Sequence, residues 1–279
     1  MKTLKTTFLL TALTLLLLFI GQAFGGQHGM TLALGFAILM NGGAYFFSDK
    51  IALASSGAVP ISREESPRLY AVMERLAAKA NLPVPKLYMI PQAAPNAFAT
   101  GRNPKHASVA VTQGLMQLMN DDELEGVIAH ELSHVRNYDI LTSSIAATIA
   151  GAVTWIARMG FWFGGGDNDR EGGGIAGILM LILAPFAAML LQLGISRQRE
   201  YQADASGAQM VGQQYGLISA LEKLGAYNKE IPMDISPSTS ALCIVAPLST
   251  RQTITGLFST HPPLADRIAA LRNMTIVRQ

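Results

Sequence analysis

Val127-Ile128-Ala129-His130-Glu131-Leu132-Ser133-His134 is the stretch from which the rest of the chain is read. It spells His-Glu-x-x-His inside a segment that should be helical. On a helix, residues i and i+4 share a face, so His130 and His134 offer two imidazoles to one metal ion. Glu131 sits one step round, placed to hold a water on that ion and take its proton. This is the arrangement of a zinc hydrolase, with the glutamate as general base. Catalytic zinc takes three protein ligands and keeps a fourth position for water, so a third ligand must come from elsewhere in the chain.

The surroundings are unusually apolar. Of 279 residues, 50% are hydrophobic and only 14% charged, more apolar and far less charged than an average soluble domain. The surplus is gathered in four runs, which makes this an α+β membrane protein with one modest polar domain. A net charge of +2 is too small to argue for nucleic acid, and there is no basic stripe or binding motif of that kind, so no nucleic-acid partner is expected. Cys243 is the only cysteine. No intramolecular disulfide can form, which fits a reducing compartment, and Cys243 reads as a small apolar filler.

Downstream of the histidines, Arg136, Asn137 and Asp139 lead without a clean helix end into Ile140 to Phe163, an apolar run long enough to span. Trp155 and Trp162 lie near its far end, as an interfacial aromatic belt requires, and Arg158 can snorkel to the same interface. The loop Gly164 to Gly174 is acidic and glycine-rich, which suits the outer face. Ile175 to Ile195 forms the returning span, with Pro185 as a kink. Upstream, Lys2 and Lys5 precede an uncharged run over about 7–24, and a second covers about 30–47. The first reads as a spanning helix or as a signal peptide. Either way, the positive-inside rule returns the chain to the cytoplasm near Lys50. The expected organisation is an N-terminal hairpin (1–50), a first catalytic part (51–139), a second hairpin (140–195) and a second catalytic part (196–279).

The polar parts give shorter signals. Ser66-Pro67 reads as an N-cap and N1 pair opening a helix to about Ala80, with Leu69, Val72, Met73, Leu76 and Ala77 on its buried face. Lys86 to Ile90, Ala97 to Thr100 and Ser108 to Thr112 read as strands of a small antiparallel sheet. A short helix comes next over Gly114 to Met119. Asn120 with Glu123 spells a capping box for the histidine helix. Ile231 to Ser259 mixes proline, serine and threonine with apolar residues and reads as a flap near the cleft. A last helix, about Leu264 to Asn273, has Leu264, Ile268 and Leu271 at core spacing.

The second hairpin returns the chain to the side of His130 and His134, and it delivers Glu200-Tyr201-Gln202-Ala203-Asp204 there. Glu200 is the candidate third ligand. Asp204, at i+4, can hydrogen-bond a ligand histidine and fix its tautomer.

His-Glu-Leu-Ser-His at 130–134, Arg-Glu-Tyr-Gln-Ala-Asp-Ala-Ser-Gly-Ala at 199–208 and Ser-Thr-His-Pro-Pro-Leu-Ala-Asp-Arg-Ile-Ala-Ala-Leu at 259–271 together resemble the M48 metallopeptidases, most closely their bacterial membrane-bound members. The resemblance extends over nearly the whole chain. It implies a mainly helical gluzincin-type catalytic domain and one Zn2+ per chain, bound by His130, His134 and Glu200 with Glu131 as base. It also implies an endopeptidase of the bacterial inner membrane that degrades misfolded or damaged membrane proteins. His261 matches a family histidine that stabilises the tetrahedral oxyanion. Asn96, Ala97, Phe98 and Ala99 would then lie on an exposed edge strand near the zinc, where an extended substrate could add as a further strand.

Two other readings compete. A catalytically silent scaffold that binds polypeptide has no need of Glu131. A four-helix transporter with a regulatory domain would favour charges buried mid-span, and these runs carry almost none. Oligomeric state leaves no signal in the sequence.

Overall fold

The structure, a computed structural model, describes residues 2–149, 197–230, 244 and 262–276. The third apolar run beyond residue 149, the fourth run, the loop between them, most of the 231–259 segment, Cys243 and His261 lie outside the described residues.

Helix α1 (Lys2–Ser55) is two arms joined at Gly26, whose φ of 54° is open to glycine at little steric cost. The arms cover Thr6–Ala23 and Gly25–Ser55, each long and apolar enough to cross a membrane, with their side chains mostly uncovered by the rest of the protein. They are pinned to one another by polar side chains. Asn41 Nδ2 donates to Thr14 Oγ1 at 2.8 Å and to the Leu10 carbonyl at 3.3 Å. Such bonds hold where apolar side chains gain nothing by leaving lipid for one another.

Beyond α1 come β1 (Val59–Pro60), α2 (Pro67–Lys79), β2 (Lys86–Ile90), β3 (Ala97–Gly101), β4 (Ala107–Thr112), α3 (Gln113–Leu118) and α4 (Asp121–Asn137). Helix α5 (Asp139–Ile149) starts at once after it. From residue 197 onward come α6 (Arg197–Val211), α7 (Tyr215–Glu230) and α8 (Leu264–Arg272). All five apolar residues expected on α2 are buried. Ser66 precedes the helix but makes no side-chain cap; Pro67 alone marks the start.

The sheet has the order β1-β2-β4-β3 and is mixed, which corrects the expectation of an antiparallel one. β3 and β4 pair antiparallel, as do β1 and β2, whereas β2 runs parallel to β4. The loop after β2 carries the chain past one strand position to the edge, and β4 then fills the gap. Alternation along a strand fixes its two faces but not its neighbour. Here both faces are covered. Leu87, Ala97, Ala99, Val109 and Val111 join the main core with α2 and α4, while Ile90, Phe98 and Ala110 pack on Ala52 and Leu53 at the end of α1.

Helix α4 is the axis of the domain. Its first turn is closed by the capping box: Asn120 Oδ1 accepts from Glu123 N, and Glu123 Oε2 accepts from Asn120 N, each at 2.9 Å. Glu123 is itself buried and held by Lys223 Nζ at 2.7 Å and Ser219 Oγ at 2.6 Å, which locks α7 to the head of α4. α4 ends where the sequence pattern shows no clean stop. Tyr138 takes the left-handed conformation (φ 61°), and α5 restarts at Asp139.

Candidate metal centre

Three elements supply the site. α4 gives His130, Glu131 and His134; α6 gives Glu200 and Asp204; α8 closes it from behind. α6 can approach because Gly207 faces α4, where a Cβ would stand 3.0 Å from His130 N. Glu200, Asp204 and Gly207 lie at i, i+4 and i+7, one stripe of the helix.

The stripe brings the ligand-type atoms together. His130 Nε2 and His134 Nε2 face one another at 3.2 Å. Glu200 Oε1 is 3.5 Å from His134 Nε2, and Oε2 is 3.8 Å from His130 Nε2. Ligand atoms about 2.0–2.1 Å from a tetrahedral zinc would stand about 3.3 Å apart. His130, His134 and Glu200 could therefore hold one metal ion. The outer nitrogens of both rings face carboxylates, which leaves the two Nε2 atoms for the ion. His130 Nδ1 is 2.8 Å from Asp204 Oδ1, and His134 Nδ1 is 3.3 Å from Asp139 Oδ2. The former is a close approach rather than an aligned hydrogen bond, since Nδ1 has no well-directed acceptor.

Electrostatics point the same way. Four carboxylates (Glu131, Asp139, Glu200 and Asp204) are set against two guanidiniums, Arg199 on Asp139 and Arg267 on Asp204. With all four carboxylates ionised and both imidazoles neutral, two negative charges are left over, which a divalent cation would offset. Burial alone would lower the pKa of His134. The Asp139 hydrogen bond, with the charges of Glu200 and Glu131, outweighs burial and pushes it up to about 9. The pocket thus draws positive charge to this imidazole, and metal uptake would displace a proton from it.

Glu131 is buried, and that burial is the main reason its carboxyl lies above the usual range. The neighbouring histidines pull it down and Glu200 pushes it up. The backbone N–H of Ala99 donates to it, so the edge strand reaches the site directly. Asn96, just before β3, is tied in as well. Its N–H donates to Thr112 Oγ1 at 2.8 Å, and its Oδ1 accepts from Ile244 N at 3.3 Å. The side chains of β3 are buried, so an added strand could meet only its backbone edge.

Arg267 is the residue that sequence reasoning missed most plainly. It is 1% exposed and grips Asp204 with two hydrogen bonds, Nε to Oδ2 at 2.8 Å and Nη2 to Oδ1 at 2.7 Å. Its Nη1 donates to the Ile244 carbonyl at 2.7 Å and lies 3.7 Å from Glu200 Oε2. Its signal was an arginine flanked by the core positions Leu264, Ile268 and Leu271, a charge on a helix that packs inward. Asp139 was missed too, because in sequence it looks like the polar margin of an apolar run.

Comparison with known proteins agrees with this geometry. The model of peptidase family M48 matches residues 63–275. The chain is similar to the protease HtpX homologue of Desulfatibacillum aliphaticivorans, 54% identical over 273 residues, covering 96% of this chain and 88% of that one. It is also similar to the protease HtpX homologue of Syntrophobacter fumaroxidans, 53% identical over 278 residues, covering 97% and 98%. Among solved structures it is similar to S. mikatae Ste24p, with a TM-score of 0.54 and 20% identity. That match covers 97% of this chain and 64% of Ste24p, and at this identity it is a likeness of fold alone. A family model matching from before α2 to beyond α8, and relatives about half identical along nearly the full length, leave one conclusion: the chain belongs to peptidase family M48 and is a metalloprotease.

Proposed function

We propose that the protein is a zinc-dependent endopeptidase of a bacterial inner membrane. In this reading four spans, about 7–24, 30–47, 140–163 and 175–195, anchor one catalytic domain built from 51–139 and 196–279 on the cytoplasmic face. Its substrates are misfolded or damaged membrane proteins and unfolded polypeptide. The observation that supports this best is the convergence of His130 and His134 on α4 with Glu200 on α6, their ligand atoms within 4.8 Å of one another, where α4 is continued at once by the apolar α5. A site so close to an apolar segment would lie near the bilayer surface and favour cytosolic loops and extracted segments.

A bound zinc ion would serve as a Lewis acid toward the scissile carbonyl and the attacking water. Glu131 takes the proton of that water, and its burial makes it a stronger base than a solvated glutamate. The same carboxyl then returns the proton to the leaving amine. His261, outside the described residues, donates to the oxyanion as it forms.

Metal analysis paired with casein cleavage by detergent-purified protein tests this. One zinc per chain is expected, with cleavage abolished by a chelator and restored by zinc, and with both lost in His130→Ala. Unmodified protein that takes up no metal would end the proposal.

The substrate lies extended along the outer edge of β3, through backbone hydrogen bonds that tolerate many sequences. A peptide substrate scanned with proline is expected to lose affinity at alternate positions, where its N–H would pair. Affinity that stays level at every position would exclude strand addition.

A further inference from the structure

Each ligand histidine is backed by a carboxylate, and each carboxylate by an arginine. The two relays come from different parts of the chain. His130 uses Asp204 and Arg267, both from the second catalytic part. His134 uses Asp139, whose Oδ2 is 3.3 Å from Nδ1 and whose Oδ1 accepts from Arg199 Nη1 at 3.1 Å.

The second relay depends on an unusual turn. On an unbroken helix, residue i+5 points about 140° away from residue i, so Asp139 could not face His134. Tyr138 breaks the helix with a φ of 61°, a conformation unfavourable for a bulky residue, and the chain restarts with Asp139 turned back on His134. Strain held at such a position is characteristic of functional sites. Nor is the ion pair a surface ornament: the side chains of Arg199 and Asp139 are only 14% and 12% exposed. Asp139 and Arg199 also stand on either side of residues 150–196, so their pairing joins the two catalytic parts beside the metal ligands.

We propose that Asp139 and Arg199 are positioning residues of the metal centre. Asp139 fixes the tautomer and ring orientation of His134 so that Nε2 faces the ion, and Arg199 holds Asp139 in place. This rests on the metal-dependent function proposed for the same site.

The test is zinc affinity, measured on full-length, metal-stripped protein in detergent by competition with a chromophoric chelator. Asp139→Ala is expected to weaken zinc binding by about 10- to 100-fold, the usual effect of losing a partner of a ligating histidine. The thermal midpoint of the metal-free protein should barely move. Asp139→Asn keeps an oxygen able to accept from Nδ1 and should recover most of the lost affinity. Arg199→Gln should weaken binding about threefold or more, and should add nothing in the Asp139→Ala background, because it acts through Asp139. Folded Asp139→Ala protein that binds zinc as tightly as the unmodified chain overturns the proposal. Should that variant not fold, unchanged affinity in Arg199→Gln overturns it instead. Failure of the unmodified chain to bind zinc would overturn the functional reading itself, and it would appear before any substitution is made.

Discussion

Glu131→Gln is expected to leave metal content unchanged and to abolish cleavage, lowering kcat by about 10²–10⁴, the range ascribed to a positioned general base. The substitution is nearly isosteric, and its amide oxygen can still accept from the Ala99 N–H that reaches Glu131. What it removes is the basic oxygen that burial has strengthened. Because Glu131 is not among the three side chains that could hold the metal ion, zinc should stay, and KM should stay with it. The measurement is steady-state cleavage of a peptide or casein by both proteins at equal, verified zinc occupancy. Loss of zinc along with activity would make Glu131 a structural member of the site. Full activity with zinc bound would move the base elsewhere. Glu131→Asp separates charge from reach: it keeps the carboxylate but draws it back by one methylene, so it should also be strongly impaired.

Much of this site could be read from spacing because helices make spacing geometric. His130 and His134, or Glu200 and Asp204, meet a common point whenever their segments are helical. The face of α2 was legible for the same reason, as was the Asn120–Glu123 capping box. Contacts between elements remote in sequence were not legible. Nothing local to Arg267 announces that Asp204 will be its partner 63 residues away. The parallel pairing of β2 with β4 depends on which strand fills a gap, and alternation within either strand is blind to it. Asp139 escaped for a subtler reason. Its role requires a left-handed tyrosine at 138, and no propensity favours that residue there.

Arg267→Met is expected to destabilise the catalytic domain by about 3–5 kcal/mol, because it leaves the buried Asp204 carboxylate without its counter-charge. Burial alone would raise the pKa of Asp204. The charge of Arg267 and its two hydrogen bonds, helped by His130, hold that carboxyl well below the usual range. A carboxyl with a lowered folded-state pKa contributes stability that is present above its unfolded value of about 3.9 and lost as pH falls through the folded value. Removing Arg267 leaves desolvation in control and reverses the sign. The variant's Asp204 then has a raised folded pKa, and its penalty is greatest at neutral pH and fades as the carboxyl takes a proton. Thermal unfolding of the metal-free proteins should therefore show the widest gap near pH 7, narrowing toward pH 4. A gap independent of pH would mean that Arg267 matters through packing and through its bond to the Ile244 carbonyl, not through Asp204. Arg267→Lys sharpens the distinction. A lysine restores the charge but cannot match two carboxylate oxygens with a planar fork, so it should recover the pH profile while regaining only part of the stability.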